Sequence, residues 1–189
     1  MRKLVLYMLM ALDGAVDDPN TYFVPDQRRD RAPVFDPQMI AFEQATIEAQ
    51  DTVLLGRHMY DEWSRYWPTS DEQPFADFIN GVRKVVVTST PLATTWNNAE
   101  AAHGPIEAVV RDLKAETGGD IGVHGSITLG QSLLAAGLVD ELRLIVGPAV
   151  GCAGRRLFGE TDPARRLELL SATPTPSGSL LLAYRASGG

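Results

Sequence analysis

Short apolar runs alternate along this chain with amphipathic segments whose apolar residues recur at helical spacing. Runs that are apolar throughout are typical of strands buried on both faces of a sheet. They predict strands at residues 3–10, 52–55, 84–88, 121–123 and 142–146, followed by a C-terminal pair at 166–171 and 179–185. The helical pattern predicts helices at 37–50, 57–67, 107–117 and 126–136, with a short helix or single turn at 74–81. Residues 97–103 show no pattern that predicts an element.

Strands that are separated by helices favour a largely parallel sheet with helices on both faces. The C-terminal antiparallel hairpin makes this sheet mixed. We therefore expect an α/β protein of three α/β/α layers around a central, mostly parallel sheet. Its 189 residues are enough for one self-sufficient domain over residues 1–189. The first strand leaves the sheet at Asp13–Gly14 and is expected to be central.

A polar stretch at residues 17–36, interrupted by prolines, separates the first strand from the first predicted helix. It carries the aromatic pair Tyr22 and Phe23. Loops of this length in compact domains usually serve or cover a site, so we expect this pair to form a substrate-side wall. The stretch ends at Asp36–Pro37, which is typical of a helix N-cap followed by proline at the first helical position.

The net charge of −7 and the pI of about 4.9 exclude a basic footprint for DNA or RNA. No run approaches the roughly 18 apolar residues that cross a bilayer. The apolar N-terminal run suggests a secretory signal at first, but it lacks a small-residue cleavage pattern and is better explained as a strand. We therefore expect neither nucleic acid nor a membrane as a partner.

One cysteine, Cys152, cannot form an internal disulfide, which fits a reducing cytoplasm. Between glycines it could be a nucleophile, but no activating group is identifiable nearby, and a small buried or loop residue is the simpler interpretation. The three histidines, His58, His103 and His124, do not share metal-ligand spacing with one another or with Cys152. We therefore assign no metal.

Three predicted strands end in groups that suit a phosphate or a ribose: Gly56-Arg57-His58, Thr88-Ser89-Thr90 and Gly125-Ser126. Two of them run directly into a helix, whose first N–H groups and positive dipole end favour an anion. Ligands of open α/β sheets bind outside the carboxyl ends of the parallel strands. If these ends are neighbours, a molecule with several phosphates is the natural occupant.

Each of these signals has a structural alternative. Arg57 could clamp a phosphate through two parallel hydrogen bonds or form an ion pair with Asp61 one turn later on the same helix. Gly125 and Ser126 could serve an ordinary turn in which the serine caps its own helix. The spacing from Gly125 to Gly130 lacks the Lys-Ser/Thr of a P-loop, and no GxGxxG is present.

The motifs ALDG, LLGRHMYDEW, VVVTS, VHGSITL and GLVDELRLIVGPAVGCAGRRLF together resemble the dihydrofolate-reductase-like superfamily. The resemblance is closest to the reductase domain of riboflavin-biosynthesis deaminase-reductases, the RibD C-terminal type, and its stand-alone relatives. It runs nearly end to end and implies an NADPH-dependent reductase. It also implies a homodimer, with the GLVDELRL strand and the glycine-rich segment after it near the contact.

The resemblance also implies the cofactor site. Residues on three segments match those that hold the phosphates, the adenosine side, and the pyrophosphate and nicotinamide: Gly56, Arg57, His58 and Met59; Thr88, Ser89 and Thr90; His124, Gly125, Ser126, Ile127, Thr128 and Leu129. The first-strand exit, Leu12, Asp13 and Gly14, matches the part near the nicotinamide and the substrate.

Two departures from dihydrofolate reductases matter. His124–Gly125 stands in place of their Gly-Gly pair, which questions the unusual peptide geometry expected there. Residues 38–40, where the substrate-binding carboxylate is expected, carry no acid. Of the flanking acids, Asp36 is more simply a helix cap and Glu43 a solvated helix residue. Asp13 is the remaining candidate catalytic acid, with an Asp-Gly turn residue as the alternative.

We therefore expect a cytoplasmic oxidoreductase in which NADPH delivers hydride to a small heterocyclic or carbonyl/imine substrate. One alternative is the riboflavin-pathway reduction of 5-amino-6-(5-phosphoribosylamino)uracil. Against it stand the absence of a fused deaminase domain and the acidic Asp17–Asp18 near the expected substrate. The other alternative is a catalytically silent NADP-binding module.

Overall fold

In a computed structural model, which describes residues 1–23, 35–151, 153–159 and 164–186, the chain is built on one mixed sheet. The described residues form eight strands in the order β4-β3-β2-β5-β1-β6-β8-β7. The first six of these run parallel to one another, and the C-terminal strands pair antiparallel as β6-β8-β7. The expected mostly parallel sheet with a C-terminal antiparallel hairpin is therefore confirmed.

The strands alternate with helices along most of the chain. The strands are β1 (Leu4–Ala11), β2 (Gln50–Gly56), β3 (Arg83–Val87), β4 (Ala99–Ala102), β5 (Asp120–His124), β6 (Glu141–Gly147), β7 (Leu167–Pro174) and β8 (Leu180–Ala186). The helices are α1 (Pro19–Tyr22), α2 (Pro37–Ile47), α3 (Arg57–Tyr66), α4 (Phe75–Gly81), α5 (Ile106–Ala115) and α6 (Ile127–Ala135), with a 3₁₀ turn at Trp67–Thr69 after α3.

Helices cover both faces of the sheet, which gives the expected three layers. On one face, Leu6 of β1 and Leu54 of β2 pack with Val110 of α5 and Leu133 of α6. The opposite face is covered by α2, α3 and α4, and there Tyr7 belongs to a second buried cluster. Successive residues of a strand point to opposite faces, so β1 supplies side chains to both layers.

The strand β4 was not predicted from the sequence. Its residues, AEAA, lack the β-branched and aromatic side chains that favour strands, and its middle residues are exposed. The strand forms because its backbone pairs in parallel with β3, in a register that places Lys84 opposite Ala99. Tertiary pairing therefore creates an element that local sequence does not indicate.

Helix α2 begins as the sequence predicts. The Asp36 carboxylate accepts hydrogen bonds from the N–H groups of Gln38 and Met39 at 2.9 and 3.0 Å, and Pro37 occupies the first turn. Burial opposes ionisation of Asp36, but hydrogen bonds from Ser177 and from the backbone lower its pKa to about 2. Asp36 is thus a helix cap.

A buried arginine, Arg2, joins several segments at the amino ends of the parallel strands. Its side chain donates to Gly119 O at 2.7 Å and to Thr52 Oγ1 at 2.8 Å. It also pairs with Glu116 at 3.1 Å and with Asp51. Arg2 is 5% exposed, so these contacts hold a desolvated charge.

A buried lysine, Lys84 on β3, holds the C-terminus of α4. Its ammonium donates to the carbonyl oxygens of Ile79 and Val82, both at 2.7 Å, and lies 4.6 Å from the Trp96 ring centroid. Burial lowers the pKa of Lys84 to about 8. The unsatisfied carbonyls of the last helical turn are thereby paired.

Replacing Arg2 by Met removes these bonds while keeping an apolar stem. We expect the free energy of unfolding to fall by about 2 to 3 kcal/mol, because carbonyl and hydroxyl partners lose a charged donor in a buried site. Urea denaturation followed by circular dichroism measures this. As a control, Arg111→Met removes an ion pair with Asp112 whose side chains are both 72% exposed, and should cost less than about 0.5 kcal/mol. Equal losses in the two variants would contradict the role given to Arg2.

Candidate functional site

The three strand ends singled out in the sequence lie side by side. Strand β2 pairs with β3 on one side and with β5 on the other, all in parallel. The groups that follow Gly56, Val87 and His124 therefore leave the sheet at the same edge and in adjacent positions. Strand β1 follows β5 in the sheet, so the Asp13 turn lies one strand further along.

A hydrogen bond joins the β2–α3 and β5–α6 junctions. The Gly56 N–H donates to Ser126 Oγ at 3.1 Å, so Ser126 does not cap its own helix. Within the described residues, no side chain caps the N-terminus of either α3 or α6. Two helix N-termini with open N–H groups therefore adjoin each other, and both favour an anion.

Arg57, the first residue of α3, lines a cleft of about 680 Å³ together with Thr88, Ser89, Thr90, His103 and Gly104. Its Nε donates to Asp61 at 2.8 Å, and its Nη1 donates to Thr90 Oγ1 and to Pro91 O, both at 2.8 Å. Nη2 makes no hydrogen bond to the described residues. The ion pair with Asp61 that the sequence allowed is therefore present. Together with the bonds to Thr90 and Pro91, it holds the Arg57 guanidinium beside the cleft.

His103 was missed by the sequence analysis. It follows β4, whose carboxyl end adjoins that of β3, and its Nδ1 lies 2.6 Å from Thr88 O. A carbonyl only accepts, so Nδ1 carries the hydrogen and Nε2 has no hydrogen-bond partner in the described part of the chain. The His-Gly pair at 103–104 could have indicated a site residue if it had been known to follow a strand. Because β4 was not predicted, the sequence did not place this pair at a strand end.

Some residues of the matched segments have side chains that lie outside the cleft. His58 is 84% exposed at its side chain and lies 3.6 Å from Glu62, so it does not line the cleft. Ile127 and Leu129 are buried in the core with α5 and β1. Thr128 is exposed on α6. The side chains of these four residues therefore do not line the cleft, and their implied roles toward a cofactor stay predictions.

Gly125 forms a tight turn between β5 and α6. Its φ is +64°, and the Ser126 N–H bonds to His124 O at 2.7 Å across it. A Cβ at Gly125 would lie 2.8 Å from the Trp63 ring and 3.2 Å from Met59 Cε. Within the described residues the cis peptide bond is Gln73–Pro74, and His124–Gly125 is trans. Glycine is therefore required here by backbone conformation and by the packing of α3.

His124 precedes this turn, but its side chain points into the protein. It is 1% exposed, and burial lowers its pKa to about 3, so it is neutral. Its Nε2 lies 2.7 Å from Gln50 Oε1, and its Nδ1 has no partner among the described residues. A Cβ at Gly122 would collide with both Gln50 and His124. The His124 imidazole therefore lies in the core and does not face a ligand, and a cofactor contact of this residue through its backbone stays a prediction.

Asp13, the tentative catalytic acid, is held by structural partners. One carboxylate oxygen accepts from the Gly151 N–H at 2.9 Å, and the other lies 3.2 Å from Arg156. Its neighbours form a turn in which Leu12 is 66% exposed and Gly14 has a φ of +89°. These contacts favour a turn-stabilising role for Asp13 over a catalytic one.

Tyr22 and Phe23 pack inside the protein at the exits of β1 and β6. They are 4% and 5% exposed and belong to the cluster that contains Tyr7 and Met39. The Tyr22 hydroxyl donates to Asp17 at 2.6 Å, and burial followed by this bond raises the pKa of Tyr22 to about 12. The rest of the loop, residues 24–34, lies outside the described residues, as does Cys152.

Glu43 departs from the expectation of a solvated helix residue. It is half-buried on α2, and the Tyr7 hydroxyl donates to its carboxylate at 3.3 Å. Burial raises the pKa of Glu43 to about 7, although the hydrogen bond from Tyr7 lowers it, and the charge of Glu72 contributes to the rise. The sequence could not show this environment, because Tyr7 comes from β1, 36 residues earlier in the chain.

The described residues contain no group of three or more His, Cys, Asp or Glu side chains that could hold a metal ion. None of the described helices is both long enough and apolar enough to cross a membrane.

Comparisons with known proteins agree with this geometry. The chain is 27% identical over 191 residues to the uncharacterized protein YyaP of Bacillus subtilis (strain 168), covering 99% of this chain and 96% of that protein. A putative riboflavin biosynthesis protein from Shewanella sp. PV-4 superposes with a TM-score of 0.72 at 18% identity, covering 98% and 99% of the two chains. The dihydrofolate reductase of Enterococcus faecalis, solved with NADP(H), superposes with a TM-score of 0.65 at 15% identity, covering 98% and 96%.

The structural likenesses show the dihydrofolate-reductase-like fold. The family is shown by the sequence, because the model of the RibD C-terminal domain matches residues 2–181, nearly the whole chain. The protein belongs to the RibD C-terminal domain family.

Proposed function

We propose that this protein is an NADPH-dependent reductase that transfers a hydride to a small heterocyclic or carbonyl/imine substrate. The observation that carries the proposal is the adjacency of two uncapped helix N-termini, at Gly56 and Ser126, beside a cleft that contains Arg57. Membership of the RibD C-terminal domain family supports a reductase-type role.

The residues fit a dinucleotide that carries an additional phosphate. The N–H groups that open α3 and α6 suit a pyrophosphate, and Gly56 and Gly125 allow its close approach. At the β3 and β4 ends of the cleft, Arg57 Nη2 and His103 Nε2 are donors or acceptors with no partner in the described chain. If the phosphate that NADPH has and NADH lacks binds there, these two side chains would distinguish NADPH from NADH.

When bound, a reduced nicotinamide dinucleotide would supply the hydride. The residues of this chain would bind and orient the ligands and exclude water. Tyr22 and Phe23 close the β1 and β6 exits with buried aromatic surface, which keeps water from that side. Asp13 keeps the turn after β1 in place through Gly151 and Arg156.

A riboflavin-pathway reduction is a second candidate, favoured by the family and by the description of the Shewanella protein. Its substrate carries a phosphate. The hydrogen bond from Tyr22 lowers the pKa of Asp17, so this residue is a fixed negative charge near the β1 exit. That charge disfavours a substrate phosphate there, and we therefore rank this candidate second.

We also propose a homodimer. Strand β6, which the family resemblance implies to be near the contact, lies between β1 and β8 inside the sheet. The sheet edge nearest to β6 is β7, where Leu169 and Leu170 are 54% and 39% exposed. Size-exclusion chromatography with light scattering should give the mass of two chains, and Leu169→Glu should shift the equilibrium toward one. A monomer at every concentration would reject the proposal.

Arg57→Ala should weaken NADPH binding, because a phosphate loses a charged hydrogen-bond donor. The expected cost is about 1 to 3 kcal/mol, which is roughly a 5- to 150-fold rise in Kd. NADH should lose less if the additional phosphate is the partner. Fluorescence titration of both cofactors measures these constants. The control is Arg65→Ala, an exposed arginine in the last turn of the same helix, which should bind like wild type. Equal NADPH affinity in all three proteins would remove Arg57 from the site.

Turnover separates the reductase from a silent cofactor-binding module. The wild-type protein should oxidise NADPH, followed at 340 nm, in the presence of at least one member of a panel of dihydropterins, aminopyrimidines, cyclic imines and ketones. Binding of NADPH without oxidation by any member would favour the module. Failure to bind NADPH or NADH would reject both.

A further inference from the structure

The turn that joins β5 to α6 has a rare backbone conformation. The Ser126 N–H donates to the His124 carbonyl, two residues earlier, at 2.7 Å, and the φ of Gly125 between them is +64°. A hydrogen bond from residue i+2 to residue i across a positive φ is typical of a classic γ-turn, which is rare and strained. Such a conformation persists only where the surrounding structure holds it. We therefore looked for the contacts that anchor the residues on either side of Gly125.

Ser126 anchors the downstream side of the turn. Its Oγ accepts a hydrogen bond from the Gly56 N–H at 3.1 Å, which ties the turn to the end of the adjacent strand β2. Ser126 also precedes the first residue of α6. This bond therefore helps to fix where α6 begins and where the open N–H groups of its first turn point.

His124 anchors the upstream side of the turn through its buried side chain. The ring centroids of Tyr7, Phe75 and Phe78 lie 5.4, 5.3 and 5.9 Å from that of the imidazole. Its Nε2 lies 2.7 Å from the Oε1 of Gln50, which is also buried. Since the amide oxygen accepts, Nε2 carries the hydrogen and donates it. Three rings and one hydrogen bond therefore fix the orientation of this side chain.

The bond between Gln50 and His124 is the one hydrogen bond that either side chain makes within the described residues. His124 Nδ1 and Gln50 Nε2 are both buried and have no partner there. A buried polar group that loses its partner costs free energy, because no water replaces the lost bond. Each side chain is therefore held in place by the other.

Gly122 leaves the space in which these two side chains meet. Gln50 begins β2, whereas His124 ends the neighbouring strand β5, so the two side chains approach each other along the sheet from opposite ends. A Cβ at Gly122 would lie 2.7 Å from His124 Nε2 and still closer to Gln50 Oε1. Glycine at this position in the middle of β5 is therefore required by the pair.

We propose that Gln50 and His124 are positioning residues of the candidate anion site. Their hydrogen bond holds the strained turn at Gly125 and so directs the first N–H groups of α6 toward a phosphate. Neither side chain touches the ligand: His124 acts through the backbone of the turn, and Gln50 acts through His124. The inference rests on the proposed cofactor site, and it does not depend on which substrate is reduced.

Two variants remove the bond and keep the packing. Gln50→Met keeps the length of the side chain but lacks the acceptor, and His124→Phe keeps a buried ring but lacks the donor. Each should raise the Kd of NADPH, and that of inorganic pyrophosphate as a probe without nucleosides, by roughly 3- to 10-fold, the scale of one neutral hydrogen bond. Because both act through one bond, the double variant should bind no more weakly than the weaker single variant. Isothermal titration calorimetry below the Tm measures these constants.

A control separates positioning from lost stability. Val110→Ala removes buried methyl groups on α5, at the opposite face of the sheet, and should lower the Tm without changing either Kd. Gly122→Ala should weaken binding as Gln50→Met does, because its Cβ displaces the pair. In NMR spectra of the free protein, the amide resonances of Gly125 and Ser126 should shift in Gln50→Met and stay in place in Val110→Ala.

The outcomes separate this proposal from the proposed function. Gln50→Met and His124→Phe variants that bind both probes as wild type does, whatever their Tm, overturn the positioning role and leave the cofactor site intact. A wild type that binds neither NADPH nor pyrophosphate rejects the cofactor site and the positioning role together. A wild type that binds NADPH and reduces no compound of the panel rejects the reductase alone, and weaker binding by the two variants then still supports the positioning role.

Discussion

The hydrogen bond from Gly56 N–H to Ser126 Oγ is the interaction on which the candidate site depends. It joins the exits of two adjacent parallel strands and occupies the serine that would otherwise cap α6. Two helices therefore present bare N-termini to one place, and each brings about half a positive charge. Gly56 and Ser126 therefore belong to one candidate anion-binding site. It forms because β2 and β5 are neighbours in the sheet.

The buried polar groups of this protein differ in how completely they are paired. At the amino ends of the strands, Arg2 is buried, and its nitrogens donate to groups on three segments, residues 51–52, 113–116 and 119. His124 at the end of β5 and Gln50 at the start of β2 keep buried atoms without partners in the described chain, and burial raises the pKa of Glu43 to about 7. Saturated bonding suits a region that only stabilises. Incomplete bonding suits one that exchanges partners.

Much of the fold could be predicted from the sequence, because the buried parallel strands are continuous apolar runs and the helix starts carry local signals such as Asp36–Pro37. The place of Arg57 at a strand exit followed from the same logic. Strand β4 and His103 could not be found, since an exposed Ala-rich edge strand has no local signature and forms only by pairing with β3. The direction of the His124 side chain depends on pleat and register, which neighbouring strands decide. Glu43 looked solvated because its partner Tyr7 is remote in sequence.

The buried ammonium of Lys84 beneath α4 can report the separation of α4 from the sheet. The chain contains three lysines, of which Lys3 has a side chain 54% exposed and Lys114 one 15% exposed, whereas Lys84 is 0% exposed. An acylating reagent can reach that third amine only when α4 detaches from the sheet and releases the carbonyls of Ile79 and Val82. The rate of its modification, read by mass spectrometry on one peptide, therefore rises with the population in which α4 is detached from the sheet.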